Sequence, residues 1–300
     1  MDNKFRQLIA ETIRTNRPNL GDSSLKTYVS ILFNLMKRLV VGDSSSYNLE
    51  YYTSHVEDIL KYLKDNPPKT RKSILSALFV LTNNDAYRNQ MIDDCKVVND
   101  EYKNQTKDDK QRENWITTHE IKAKYDELLT IVRKMFHRTI IGDTNTIIHF
   151  LLLAFLGGCA GLPPRRSQDY TELKIRNYNP KTDNYYRAGK LFFSKYKTAK
   201  QYGQQVLEVP FVLKLFINKW VKINEGDYML FSTNGNKLTS PQVSRMLNKI
   251  FDGKHISVDM LRHIYLSNVY KDVPPIKEME QLASDMGHSV ETAMTYVKRD

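Results

Sequence analysis

The sequence has little cysteine: two residues in 300, Cys95 and Cys159, at no metal-like or redox spacing. A disulfide framework is therefore not expected, and the chain reads as one that works in a reducing compartment. Long hydrophobic runs are missing too. The longest, Ile147 to Gly161, carries His149 and falls short of the roughly 20 apolar residues that a spanning helix needs. It reads as a buried core helix, and no membrane partner is expected. The first residues, Met1-Asp-Asn-Lys-Phe-Arg, are charged and lead into an amphipathic pattern instead of an apolar signal core. Secretion is therefore not expected; the protein reads as intracellular, with nucleus and cytoplasm both open. Asp, Glu, His and Cys nowhere cluster at ligand spacing, so neither a metal nor another cofactor is expected, and a two-metal mechanism is unsupported. Internal repeats and low-complexity tracts are also lacking.

What the chain does have is enough apolar material, 41% with 11% aromatic, to exclude disorder and to build one large domain or two modest ones. It also has a basic excess, +11 in all, and that excess is uneven. Residues 1–113 hold 18 Lys/Arg against 16 Asp/Glu, whereas residues 114–300 hold 27 against 18. Most of the positive charge thus sits in the second part, as a polyanionic partner requires, although a soluble basic surface would look the same.

Helical spacing runs through the first hundred residues. Phe5, Leu8, Ile9 and Ile13 mark one helix. Leu25 to Val40 is a second, with Ser23 or Ser24 as N-cap. Asn48 to Lys64 is a third, stopped by Asn66-Pro67-Pro68. Thr70–Thr82 and about Tyr87–Tyr102 follow. Lys69, Arg71 and Lys72 open the fourth helix, where positive charge opposes the macrodipole, so contact with phosphates is the sharper reading of them and a solvated loop edge the plainer one. The polar tract 104–114 reads as a linker between a helical domain, 1–103, and a second domain, 115–300.

In the second domain Thr117 or Thr118 with Glu120 caps a helix over about 119–135, and the apolar helix Thr144–Leu156 is the expected core. Gly157 to Pro164 turns the chain, and Arg165-Arg166-Ser-Gln-Asp169-Tyr170-Thr-Glu-Leu173 opens a helix whose first turn the two prolines pre-set. From Tyr178 to Pro210 the pattern becomes aromatic strands. Arg187 to Tyr202 holds five Lys/Arg and no acid; Arg187, Lys190, Lys195, Lys197 and Lys200, interleaved with aromatics, suit a ribbon lying on nucleic acid, with Lys197 on a hairpin tip. Helices return over 211–222, 240–251, 258–270, 276–286 and 290–297. The fold class is thus mostly α with a small antiparallel sheet.

Cleaving a strand without a metal needs a nucleophile, cationic donors around the phosphoryl oxygens and an acid for the leaving oxygen. Arginines, a lysine on a flexible tip, a histidine and a late tyrosine supply these types. Their order resembles the tyrosine recombinase (phage-integrase-like) family. The residues that carry the likeness are Gly161-Leu-Pro-Pro-Arg165-Arg166-Ser-Gln-Asp169, Lys197-Thr-Ala-Lys200, Asp259-Met-Leu-Arg262-His263, Met286-Gly-His288-Ser289 and Tyr296. The short C-terminal end and Pro-Pro-Arg-Arg look most like versions from large DNA viruses and mobile elements.

The resemblance implies a two-domain clamp on double-stranded DNA with a recombinase-like catalytic domain, acting as a homo-oligomer, dimer or tetramer, on DNA. It implies site-specific recombination or integration through a 3′-phosphotyrosyl intermediate, without metal or ATP. Arg166 and Arg262 would hold the scissile phosphate, with Arg165 an alternative to Arg166, which is preferred because Asp169 stands three residues on. Lys197, or Lys200 in its place, would protonate the leaving oxygen; His288 would donate to the phosphate and Tyr296 would attack it. Asp259 stands where the family has a His or Lys, so that donor is missing or replaced by His263 or His255. The interval from His288 to Tyr296 is one residue short of the common pattern. Four residues follow Tyr296, so no exchanged terminal helix is expected after it. Tyr265 and Tyr270 are expected in the core, as are Val290, Ala293 and Val297. The rivals are a type IB topoisomerase-like relaxing enzyme, which lacks support because Thr292-Ala-Met-Thr295 precedes Tyr296, and a catalytically inactive DNA-binding clamp, which Asp259 favours.

Overall fold

The computed structural model describes residues 2–40, 44–137, 144–287 and 289–297. The chain divides into two compact units, one made of Met1–Thr106 with Pro274–Asp300 and the other of Lys107–Val273. It is mostly helical, with one small four-stranded mixed sheet. No helix among the described residues is long and apolar enough to cross a membrane.

The first unit begins with α1 (Asp2–Asn16), α2 (Asp22–Leu39), α3 (Tyr51–Ser54), α4 (Val56–Leu63), α5 (Pro68–Thr82) and α6 (Asp85–Lys103). Phe5, Ile9 and Ile13 recur every four residues and are buried with Leu32, Met36, Leu75 and Leu78. Two tyrosines complete that core because their hydroxyls find acceptors. Tyr52 donates to the Leu32 carbonyl and Tyr87 to the Tyr52 carbonyl, each at 2.7 Å, which offsets the cost of burying a phenol. Burial pushes both phenols above their ordinary range.

Two boundaries differ from the sequence pattern. The helix expected over Asn48–Lys64 is broken at His55 (φ −119°, ψ 41°), whose ring stacks on Tyr51 at 4.2 Å. Helix α2 starts at Asp22 behind Gly21, with no side-chain cap, so neither Ser23 nor Ser24 caps it.

The second unit holds α7 (Asp109–Asn114), α8 (Thr118–His137), α9 (Thr144–Leu156), α10 (Ser167–Thr171), β1 (Leu173–Lys174), β2 (Asn184–Arg187), β3 (Lys190–Phe193), α11 (Ala199–Tyr202), β4 (Gln205–Glu208), α12 (Phe211–Ile223), α13 (Ser240–Ile250) and α14 (Val258–Val269). Helix α9 is its centre: Ile147, Ile148 and every residue from Phe150 to Leu156 are buried, as an all-round apolar helix must be. Within the expected linker, Asp108 and Gln111 form a reciprocal cap, Asp108 Oδ1 accepting from the Gln111 amide at 2.8 Å and Gln111 Oε1 from the Asp108 amide at 3.0 Å. That cap turns part of the polar tract into α7.

The strands lie in the order β1-β2-β3-β4. The last two pairings are antiparallel, but β1 runs parallel to β2, so the sheet is mixed and not purely antiparallel. Helix α10 ends after little more than a turn because Leu173 pairs with Asn184 and its carbonyl accepts from Met229 N at 2.8 Å. Those pairings are long-range and override a local helical pattern. Strands β2 and β3 join through Ala188-Gly189, both at positive φ (51° and 83°), as a tight hairpin turn demands.

Helices α15 (Ile276–Asp285) and α16 (Val290–Tyr296) close the chain. They group with the first unit, whereas the sequence pattern assigns them to the second domain, 115–300. Lys103 Nζ lies 3.0 Å from Glu280 Oε1, and Gln105 Oε1 accepts from the Ile276 amide at 3.0 Å.

Candidate functional site

The second unit carries a cationic cluster at the exit of α9. There Gly158 has φ +75°, and a Cβ on it would lie 2.4 Å from the Tyr265 ring. Only glycine lets the backbone pass so close to α14, the helix that carries Arg262. Pro163 and Pro164 come next, but they stand before the helix and not in its first turn: Arg166, extended at φ −67° and ψ 151°, is the N-cap residue of α10.

The two adjacent arginines have different surroundings. Arg165 Nε donates to Asp169 Oδ2 at 2.8 Å and its Nη1 to Gln205 Oε1 at 2.6 Å, while its guanidinium lies 4.2 Å from the Phe193 ring centre and 5.0 Å from that of Tyr196. Arg166 is exposed, and its guanidinium makes no hydrogen bond or ion pair among the described residues. The acid three residues on therefore pairs with Arg165, at i,i+4, and leaves Arg166 open to a ligand.

Asp169 organises the cluster. Burial, to 2% exposure, pushes its carboxyl above the ordinary value against the opposing pull of Arg165, then Arg166, then Arg262. All three guanidiniums favour the charged form of that carboxyl, but Arg165 pairs with Asp169 and Arg262 with Asp259, so the unpaired positive charge falls to Arg166. Asp169 Oδ1 and the neighbouring Tyr170 hydroxyl are buried without a hydrogen-bond partner. Arg262 donates to Asp259 Oδ1 at 3.2 Å, and His263 Nε2 lies 3.4 Å from Asp259 Oδ2. Asp259, where the sequence pattern calls for a donor, is thus the counter-ion of Arg262 and a neighbour of the His263 ring.

Lys197 lies on the connection between β3 and β4 and Lys200 in α11; both are exposed, with no partner among the described residues. Arg187 is exposed in the same way. Two other cations of the ribbon have acidic neighbours: Lys190 lies 3.0 Å from Glu208 and Lys195 lies 3.3 Å from Glu172. Glu172 also takes a bond from Lys237 at 2.5 Å. Burial raises the Glu172 carboxyl, but Lys237 and Lys195 outweigh it and hold the group below the usual glutamate range. Sequence reasoning missed Gln205 and Asn184. Asn184, fully buried, accepts from the amides of Ser194 and Lys195 at 3.0 and 2.7 Å and donates to the Asp169 carbonyl at 3.0 Å. No spacing marks such a residue, because its partners are distant backbone groups.

In the first unit, Arg71 is committed inside the molecule: its Nε and Nη2 donate to Asp94 of α6 at 2.8 and 2.5 Å. Its place at a helix start, for which the sequence left phosphate contact and a solvated edge both open, has this structural cause. Lys69 lies 5.9 Å from the Tyr102 ring centre, and Lys72 has no partner among the described residues. Tyr296 is 64% exposed at the end of α16, whose N-cap Ser289 accepts from the Thr292 amide at 3.1 Å. His288 lies outside the described residues. Val290 and Ala293 are half-buried, but Val297 is 51% exposed and does not continue their face. Tyr265 packs at Gly158, whereas Tyr270 is 60% exposed and not in a core.

No family model matches the sequence, and no curated protein matches it either. Among the solved structures similar to this chain are a recombinase and an integrase. One is the crystal structure of XerA recombinase, with 11% identity over 99% of this chain and 94% of the other, at a TM-score of 0.36. The other is a lambda integrase (75–356) dimer bound to a COC′ core site, with 15% identity over 94% of this chain and 92% of the other, at a TM-score of 0.45.

Proposed function

We propose that this protein is a site-specific DNA recombinase that cuts and rejoins strands through a covalent link to Tyr296. The observation that carries the reading is the pairing of Arg165 with the buried Asp169 beside an exposed Arg166, whose guanidinium makes no hydrogen bond or ion pair among the described residues. That arrangement is a receptor for an oxyanion, and a surplus of fixed guanidinium charge stabilises a phosphoryl group best when negative charge builds on its oxygens.

In this reading Arg166 and Arg262 hold the two non-bridging oxygens of one phosphodiester. The Tyr296 oxygen attacks phosphorus, giving up its proton to water, and the bond from phosphorus to the 5′ oxygen breaks. Lys197 passes a proton to that oxygen and regains one from solvent. The products are a 3′-phosphotyrosine and a free 5′ hydroxyl, and the attack of a new 5′ hydroxyl reverses the step. His288 adds a donor to the phosphate. Reciprocal exchange between two duplexes engages one tyrosine for each strand cut and releases it on rejoining, so a homo-oligomer, dimer or tetramer, acts on DNA. Arg187, Lys190 and Lys195 with Lys69 and Lys72 lie along the backbone, and residues 1–103 complete the grip. Such contacts position the duplex without reading its sequence.

The test is covalent capture. Incubation with a pool of randomised duplexes should leave a denaturant-resistant protein–DNA adduct with the wild-type chain. Tyr296→Phe should bind the same pool equally well and leave none. An adduct formed by that variant would remove Tyr296 from the mechanism.

A further inference from the structure

We infer that Arg165 is a positioning residue for Lys197: it ties the connection between β3 and β4 to α10, so that the exposed ammonium is held in a set place beside the arginine cluster. The inference rests on the transesterification reading above, and adds to it a residue that does not touch the substrate.

The bonds of Arg165 reach four separate pieces of chain. Asp169 belongs to α10, Phe193 is the last residue of β3, Gln205 is the first of β4, and Tyr196 lies inside the connection. The arginine side chain is only 15% exposed, so little of its charge is offered to a ligand. The Tyr196 ring is buried beneath it, and the Tyr196 hydroxyl donates to the Gly203 carbonyl at 2.7 Å, which closes the far end of the connection. The near end is fastened separately, by Asn184 to Ser194 and Lys195. Lys197 follows Tyr196 directly. The segment from Lys197 to Tyr202 has no buried side chain of its own, so Tyr196 under Arg165 is its main hold on the rest of the unit. A lysine at 165 could not replace this arrangement, because it lacks both the fork that reaches Asp169 and Gln205 together and the flat face that lies on two rings.

A general acid is needed only when the leaving group needs a proton. Sulfur in place of the bridging 5′ oxygen leaves as a thiolate and makes the acid dispensable, which separates loss of Lys197 from loss of phosphate binding. Duplexes captured by the wild-type chain would be resynthesised with oxygen or sulfur at the scissile position. Arg165→Met and Tyr196→Leu would be compared with Arg166→Met; the Tyr196 variant keeps the Arg165–Asp169 pair and so guards against simple misfolding. A positioned acid supplies roughly a hundredfold or more. Arg165→Met and Tyr196→Leu should therefore slow cleavage of the oxygen duplex by about ten- to a hundredfold and stay within about threefold of wild type on the sulfur duplex. Arg166→Met should slow both. Amide exchange in residues 194–204 should quicken in the first two variants and not in the third. Equal losses on oxygen and sulfur, or unchanged exchange in that segment, would overturn the inference. A wild-type chain that forms no adduct at all would instead remove the transesterification reading, and exchange would then decide by itself whether Arg165 anchors the connection.

Discussion

Replacing Arg71 with methionine should destabilise the first unit severely while leaving contact with nucleic acid nearly unchanged. Arg71 holds both oxygens of Asp94, at 2.8 and 2.5 Å, and donates to the Lys64 carbonyl at 2.7 Å. The Asp94 side chain is 2% exposed and that of Arg71 17%. Methionine fills most of the volume but leaves a buried carboxylate without its counter-ion, at a cost of about 3–5 kcal/mol. For a unit of this size each kcal/mol moves the thermal midpoint by roughly 3–4 °C, so the midpoint should fall by about 9–20 °C. Adding Asp94→Leu removes the orphaned charge and should recover most of the loss, because an apolar pair of similar volume avoids desolvating two ions. Circular dichroism melts of the wild type and the single and double variants measure this. A surface phosphate contact would behave otherwise: the midpoint would hold, and the salt dependence of DNA affinity would weaken by about one counter-ion. A fall below about 3 °C combined with that weakened salt dependence would refute the structural role assigned to Arg71.

Other perturbations follow from the second unit. Gly158→Ala forces an L side chain to φ +75° and sets its Cβ 2.4 Å from the Tyr265 ring; strain and overpacking together should cost roughly 2–4 kcal/mol, read as a lower urea midpoint. Asp259→Asn frees Arg262 from a 72% exposed counter-ion. Stability should change by less than about 0.5 kcal/mol, while DNA binding tightens and its salt dependence steepens by about one ion; unchanged binding would separate Arg262 from the phosphate. Glu172 should set an acid limit. Its carboxyl is held below the ordinary value of 4.5 by Lys237 and Lys195 against the effect of burial, so its contribution is complete above that value and is lost as pH falls through the lower folded value. Amide exchange in residues 194–204, corrected for intrinsic rates, should therefore quicken as pH falls below the ordinary glutamate range, and Glu172→Gln should abolish that dependence.

Much of the helical framework was legible from spacing alone. Phe5, Ile9 and Ile13, the all-apolar run of α9 and the proline before α5 are local facts, decided by which residues stand three or four apart and by a ring that fixes φ. The residue types proposed for the candidate site were chosen by chemistry alone, because an oxyanion receptor calls for arginine and a transferable proton for lysine. Tertiary structure set the two arginines apart. Arg165 and Arg166 are chemically identical in the sequence, and they differ only because Phe193, Tyr196 and Gln205 come from elsewhere to cover one and leave the other bare. Arg71 reads as a free cation until a carboxylate 23 residues away is buried against it. β1 reads as the end of a helix until Asn184 and Met229 pair with Leu173. In each case the deciding partner is remote along the chain, and a charge or a backbone amide takes its role from the partner that burial brings to it. Periodicity reports burial and says nothing of partners, so the sequence by itself determined where helices form and which chemistries are available, and only the folded chain decided how each charge is used.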